Sequence, residues 1–360
     1  MKRWMVFLAA ALLLLTIQAR AAALPKEVEK ALPAGTERIL NEVELSSGSA
    51  LGDGVEKILE RLKDQAGTVV RQRVRGAASV LAAVVLCGAV EGFYQGAGGK
   101  RPLLFLPMVG ALCVTLATAG SLDDLIGLGA ETIRELGTFS TVLLPTVAAA
   151  TAASGALSTA TAQQVSAMVL VDLLLRLING LLLPLVYLYI GVLTASACLP
   201  ENRLGVLAGG LKKAVTWCLT TALLAFTLYL SAVRVVSGAA DGLSVKMAKA
   251  AISGVVPVVG GIIAEASETV LAGAGMLRSV IGVGGMLAIL AACAYPFLQL
   301  GVQYLIYKLT AFLAAMVGPP GLCRLIDGLG GAFGLVLGMT GACALLLLIS
   351  LLAFVGAVVP

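Results

Sequence analysis

Two opposite charges interrupt one of the most apolar stretches of the chain: in VDLLLRLING, Asp172 and Arg176 stand four residues apart. On a helix that spacing puts them on one face, where each neutralises the other. A lone ionised side chain at the centre of a bilayer costs about 2.5–3.5 kcal/mol. The pair therefore reads as self-compensating near a segment end or, with Asn179, as the lining of a polar path. A second charged stretch is SGAADGLSVKMAKAAISGVVPVVGGIIAEASETV, residues 237–270. Behind Asp241, the apolar Leu243, Met247 and Ala250 recur at helical spacing against Lys246 and Lys249, the pattern of an interfacial amphipathic helix. Pro257 and the pair Gly260–Gly261 then break the helix, by a missing donor and a loosened backbone. Glu265, Glu268 and Thr269 form a narrow polar stripe beyond the break. Carboxylates so placed need a water-filled space or a subunit boundary, unless the segment is a short helix outside the membrane.

Other chemistry is excluded by what the chain lacks. There is no histidine, so His-based acid–base catalysis, His-ligated metals and His proton relays are all absent. GAGGKRP at 96–102 lacks the spacing and hydroxyl of a phosphate-binding loop, and no nucleophile elbow occurs. Seven cysteines lie in or beside apolar segments without a C-x-x-C pair, as small hydrophobes at helix contacts do. The chain reads as a non-enzyme without cofactor or metal. Arg234, Arg278 and Lys308 read as snorkelling to interfaces, and Arg324 and Asp327 as loop charges after the turn at 318–321. Gly330, Gly334, Gly338 and Ala342 recur every four residues, a stripe that lets another helix approach at backbone distance, in this chain or another.

These residues must be positioned by elements whose solvent is lipid. Hydrophobic residues make up 59% of the chain and charged ones 12%, with a mean hydropathy of +1.00, which no water-exposed surface of this size could supply. Long uninterrupted apolar runs and 42 glycines favour close-packed helices over a barrel's alternating strands. The fold class is thus all-α: a polytopic transmembrane bundle of about seven spans, six to nine being admissible, with broken or re-entrant segments. The segments are 77–97, 103–120, 139–160, 168–198, 211–236, 276–307 and 329–358, with shorter pieces at 121–137, 251–264 and 309–318. Kinks are expected at Pro184 and Pro296.

Residues 1–21 carry Lys2 and Arg3, a short apolar run and Ala19-Arg20-Ala21, the layout of a cleavable signal peptide. Residues 22–76 form an extracytoplasmic polar region, in which Val55, Leu59 and Leu62 against Glu56, Glu60, Lys63 and Asp64 predict an amphipathic helix lying on the membrane or on the bundle. Residues 77–360 are the membrane domain. From an outside N-terminus, Lys100 and Arg101 fall in the cytoplasm and Asp123, Asp124, Glu131 and Glu135 outside. Arg203, Lys212 and Lys213 then fall inside only if 139–160 does not cross fully.

The 237–270 stretch, followed by GMLRSVIGVGG, AYPFLQL and LIYKLTAFL, resembles the stage III sporulation protein AE family, over roughly residues 140–355. The resemblance implies a multi-pass component of the mother-cell membrane around the forespore, within a transenvelope channel or secretion complex needed for endospore formation. It implies as partners the other stage III sporulation A-operon proteins, including an ATPase and ring-forming subunits, and stage II sporulation protein Q across the intermembrane space. A homo-oligomer, membrane lipid and no nucleic acid complete the expected partners. The family supplies no catalytic residues. The rival readings are a self-sufficient solute permease and a purely structural membrane scaffold.

Overall fold

The computed structural model describes residues 24–33, 36, 40, 50–97, 105–199, 203–255 and 260–355; for 203, 238–255 and 260–271 it describes the backbone alone. The signal-peptide reading of residues 1–21 lies outside the described residues, as do Lys100, Arg101 and Pro257. Among the described residues the chain is helical and has no strand. A short α1 (Lys26–Lys30) precedes α2 (Ala50–Gly96), α3 (Phe105–Ala153), α4 (Leu157–Leu177), a π turn (Ile178–Leu182), α5 (Leu183–Cys198), α6 (Arg203–Val255), α7 (Gly260–Ala314) and α8 (Pro320–Val355). Among the described residues six helices, counting Leu157–Cys198 as one, are long and apolar enough to cross a membrane. The protein is a helical membrane bundle.

Short connections between long helices force antiparallel neighbours, and the contacts at each end show it. At one end Gly88 of α2 meets the carbonyl of Val317, Gly110 of α3 lies against Cys87 and Leu322, and the Cβ position of Gly321 lies 3.8 Å from the carbonyl of Ala197. At the other end Arg278 of α7 donates to Ser154 Oγ at 3.3 Å, the Cβ position of Gly284 lies 3.0 Å from Leu24, and Gly282 touches Val355. The C-terminal ends of α2 and α5, the start of α3 and the turn 315–319 thus share one end; Leu24 and Val355 share the other.

The structure redraws two boundaries. Segments 103–120 and 121–137 and the start of 139–160 are one continuous helix, α3, so Asp123, Asp124, Glu131 and Glu135 sit in the middle of a helix rather than in a loop between spans. Gly129 and Gly137 explain its continuity: they accept Val336 and Leu175, and that packing holds the backbone helical despite their poor propensity. The expected re-entrant piece at 139–160 is instead the junction of two helices, turning at Gly155, whose φ of 94° suits glycine. The polar half of the 22–76 region continues without a break into the apolar arm of α2. Gly54, Ile58, Val69, Ala77, Val80, Val84 and Cys87 are its buried stripe, whereas Leu59 stays 58% exposed.

α8 is buried over most of its circumference, with Leu322, Leu325, Leu329, Phe333, Val336, Met339, Cys343 and Leu347 all inside and a narrow stripe through Gly338, Leu345 and Leu352 exposed. An all-round apolar helix belongs at the centre of a bundle. α7, α3, α4–α5 and α6 surround it, and α2 rides on α7. Pro184 follows a π turn in which Leu183 N–H donates to Ile178 C=O, five residues back. Its ring would clash with the carbonyl four residues earlier in a regular helix, and the π turn is the form this expected kink takes. Pro145 and Pro296 lie inside α3 and α7.

Candidate functional site

Charged and aromatic groups from α5, α6, α7 and α8 meet about two turns in from the end that carries the turn 315–319. Lys308 of α7 and Asp327 of α8 are paired across the last hairpin, Nζ to Oδ1 2.5 Å, and the ammonium lies 5.9 Å from the Tyr304 ring centroid. Tyr189 Oη donates to the Gly328 carbonyl at 3.1 Å. The Tyr189 hydroxyl and Lys212 Nζ both crowd Gly331, at 3.2 and 3.0 Å from where a Cβ would stand. Tyr307 Oη donates to Thr118 Oγ1 at 3.1 Å, and its ring meets Phe333 edge-on with centroids 5.3 Å apart. Gln303, 2% exposed, keeps its Oε1 without a partner.

This cluster differs from the sequence reading. Lys308 does not snorkel away, and Asp327 and Arg324 are not loop charges but lie in the first turns of α8. A signal was present: Lys308 and Asp327 stand at roughly equal distances from the turn at Gly318, so an antiparallel hairpin brings them level. The site can hold fixed charge and bind water or a polar solute. Among the described residues no group of three metal-ligating side chains occurs.

Asp172 and Arg176 form the expected pair, Oδ2 to Nε 2.8 Å, with side chains 61% and 78% exposed. Leu174 and Ile178 take the inward face, so the pair and the exposed Asn179 look away from the bundle, immediately before the π turn. A Cβ at Gly330 or Gly334 would stand 3.1 Å from Tyr307 or Tyr304 of α7, and one at Gly338 3.7 Å from Leu219 of α6; Ala342 is 3% exposed. The small-residue stripe therefore packs within this chain.

Asp241, Lys246 and Lys249 fall in α6, and Gly260, Gly261, Glu265, Glu268 and Thr269 in α7. Their side chains lie outside the described residues, as does Pro257 altogether.

Two further charged groups, which the sequence marks only as topology signals, form faces on α2 and α3. On α2, Arg71 and Arg75 are exposed, while Arg73 donates through Nη2 to Gln299 Oε1 of α7 at 2.5 Å. A groove of about 590 Å³ between α2 and α7 is lined by Arg61, Asp64, Gln72 and Tyr295. On α3, Asp123, Asp124 and Glu131 are exposed.

Comparison with known proteins supplies the context for this bundle. The family model for stage III sporulation protein AE matches residues 54–358, nearly the whole described membrane domain. The chain belongs to the stage III sporulation protein AE family. The stage III sporulation protein AE of Bacillus subtilis (strain 168) is 24% identical over 193 residues, covering 54% of this chain and 48% of that protein. The match thus spans about half the length of the curated relative. No solved structure matches. For this stage III sporulation protein AE family member, the described fold is thus read from its own packing.

Proposed function

We propose that this chain is a non-enzymatic, multi-pass subunit of a channel or secretion complex in the mother-cell membrane around the forespore. The observation that carries the reading is membership of the sporulation family across residues 54–358. The architecture supports it. Helices of 36–55 residues reach roughly 54–80 Å at 1.5 Å per residue, well beyond a hydrocarbon core of about 30 Å. Such a bundle projects from the bilayer and offers polar surface to neighbours. The positive-inside rule favours a cytoplasmic location for the end where α2, α5 and α7 finish, because Arg203, Lys212, Lys213 and Arg324 fall in the first turns of α6 and α8 there and Lys100 and Arg101 stand in the sequence between α2 and α3. On this reading the neighbours are the other products of the same sporulation operon, including its ATPase and ring-forming proteins, and stage II sporulation protein Q. Glu265, Glu268, Lys246 and Lys249 line the route or dock a partner.

The test is purification of the tagged chain from sporulating cells. The operon partners should co-purify, and a Glu265→Lys/Glu268→Lys variant should lose them and arrest forespore maturation. Solute transport by the purified chain alone in liposomes would favour a permease instead. Intact assembly and maturation in the double variant would remove those glutamates from the mechanism.

A further inference from the structure

The two charged faces are complementary, stand at one level and lie on different walls of the bundle. Residues 71–75, RQRVR, carry three arginines; residues 123–135 carry Asp123, Asp124, Glu131 and Glu135 against Arg134, a net charge of −3. Both stretches edge the apolar arms of the same helical hairpin: Arg75 stands just before the apolar run that begins at Ala77, and Asp123 just after the one that ends at Leu122. α7 fixes their relative height. Arg73 bonds to Gln299, and the next residue, Leu300, lies 3.7 Å from the Cβ position of Gly129 on α3. The basic face sits where α2 rides on α7. The acidic face is turned away from α7 and α8, since Thr118, Gly129 and Leu143 take the inward side of α3. Among the described residues none of Arg71, Arg75, Asp123, Asp124 and Glu131 enters an ion pair.

We propose that the chain binds further copies of itself head to tail, the α2 arginines of one copy meeting the α3 carboxylates of the next. One copy supplies both halves of the contact in equal and opposite charge, and because they share a height, rotation about an axis along the membrane normal brings them together without vertical offset. A two-fold contact through either face would set like charges against each other, so the geometry selects a heterologous contact, which closes into a ring or extends as a row. At the edge of the apolar arms such pairs are screened less than in open water.

The test is subunit counting of the full chain in lipid bilayers over a range of surface densities. The wild type should contain more than one copy. Arg71→Glu/Arg75→Glu and Asp123→Lys/Asp124→Lys should each shift the monomer–oligomer midpoint at least tenfold towards monomer, and combining all four should restore association. Arg71→Gln/Arg75→Gln, with helical content checked, covers the case in which a reversal prevents folding, and should give the same direction of shift. The proposal is overturned if the wild type is monomeric at every density, as it would be if these faces served another protein. It is also overturned if folded variants associate like the wild type, or if the fourfold variant fails to recover.

Discussion

The central hairpin offers a graded test of its own packing. A Cβ added at Gly330 would stand 3.1 Å from Tyr307 Cβ and 3.7 Å from the backbone of Tyr307 and Lys308, atoms that cannot swing away. At Gly334 the nearest atoms, at 3.1 and 3.2 Å, belong to the Tyr304 ring, which can tilt; at Gly338 the nearest is Leu219 Cδ2 at 3.7 Å, ordinary contact. At Gly301 on α7 nothing lies within 4 Å. Overpacking costs about 1–3 kcal/mol, and an exposed helical Gly→Ala change returns about 0.8–1.0 kcal/mol of helix propensity. Gly330→Ala should therefore lose up to about 2 kcal/mol net, Gly334→Ala should fall near zero, Gly338→Ala should gain a few tenths, and Gly301→Ala should gain up to about 1 kcal/mol. Gly330→Leu should prevent the hairpin from closing. Unfolding of the purified chain in mixed micelles, followed by circular dichroism, measures the series. A reversed order, with Gly338 or Gly301 more sensitive than Gly330, would refute the assignment of this stripe to contact within the chain.

Three further outcomes follow from the described contacts. Lys308→Met and Asp327→Asn should show a coupling of about 1 kcal/mol in a double-mutant cycle, since the side chains are 30% and 51% exposed and such pairs fall between surface and buried ones; Asp327→Asn should be the worse single change, because it leaves the less exposed Lys308 without its counter-ion. Reporters fused after residue 23 and after Val355 should map to the same side of the membrane, because Leu24 and Val355 lie at one end; opposite sides would overturn the six-helix arrangement. Asp172→Leu alone should lower membrane insertion or yield by stranding Arg176, whereas Asp172→Leu/Arg176→Leu should recover it, measured by protease protection in vesicles.

Much of the bundle was legible because lipid demands long apolar runs, and those runs mark helices plainly. Their limits were less so. The carboxylates from Asp123 to Glu135 lower local hydropathy and make 121–137 read as a separate, broken piece, yet a helix breaks for backbone reasons rather than for charge. Here Gly129 and Gly137, which weaken a helix in isolation, are the positions where Val336 and Leu175 seat. The Asp172–Arg176 pair was readable because it is local. Lys308 and Asp327 were not read as a pair, since nothing in either one's own segment names the other; only the hairpin does. Tyr189 and Lys212 were equally silent, as their meeting over Gly331 depends on three helices converging on α8. Pro184 in an over-long apolar segment signals an irregularity there, but not that the chain widens one turn to accommodate it.

That widened turn sets the phase of the whole third crossing. A π turn holds one residue more than the α-helical path it replaces. If Leu157–Cys198 ran as uninterrupted α-helix, everything after Leu182 would be rotated by about 100°, carrying Tyr189 off Gly328 and Leu193 away from the same glycine, which it now covers at 2.5 Å from the Cβ position. The surplus residue thus acts as a shim between two halves, one indexed to α3 and the other to α8. Removing one residue from 178–182 should restore the clash at Pro184 that the widened turn relieves and shift one half against the other; the same deletion at Leu170 or Ile190 should likewise shift one half against the other.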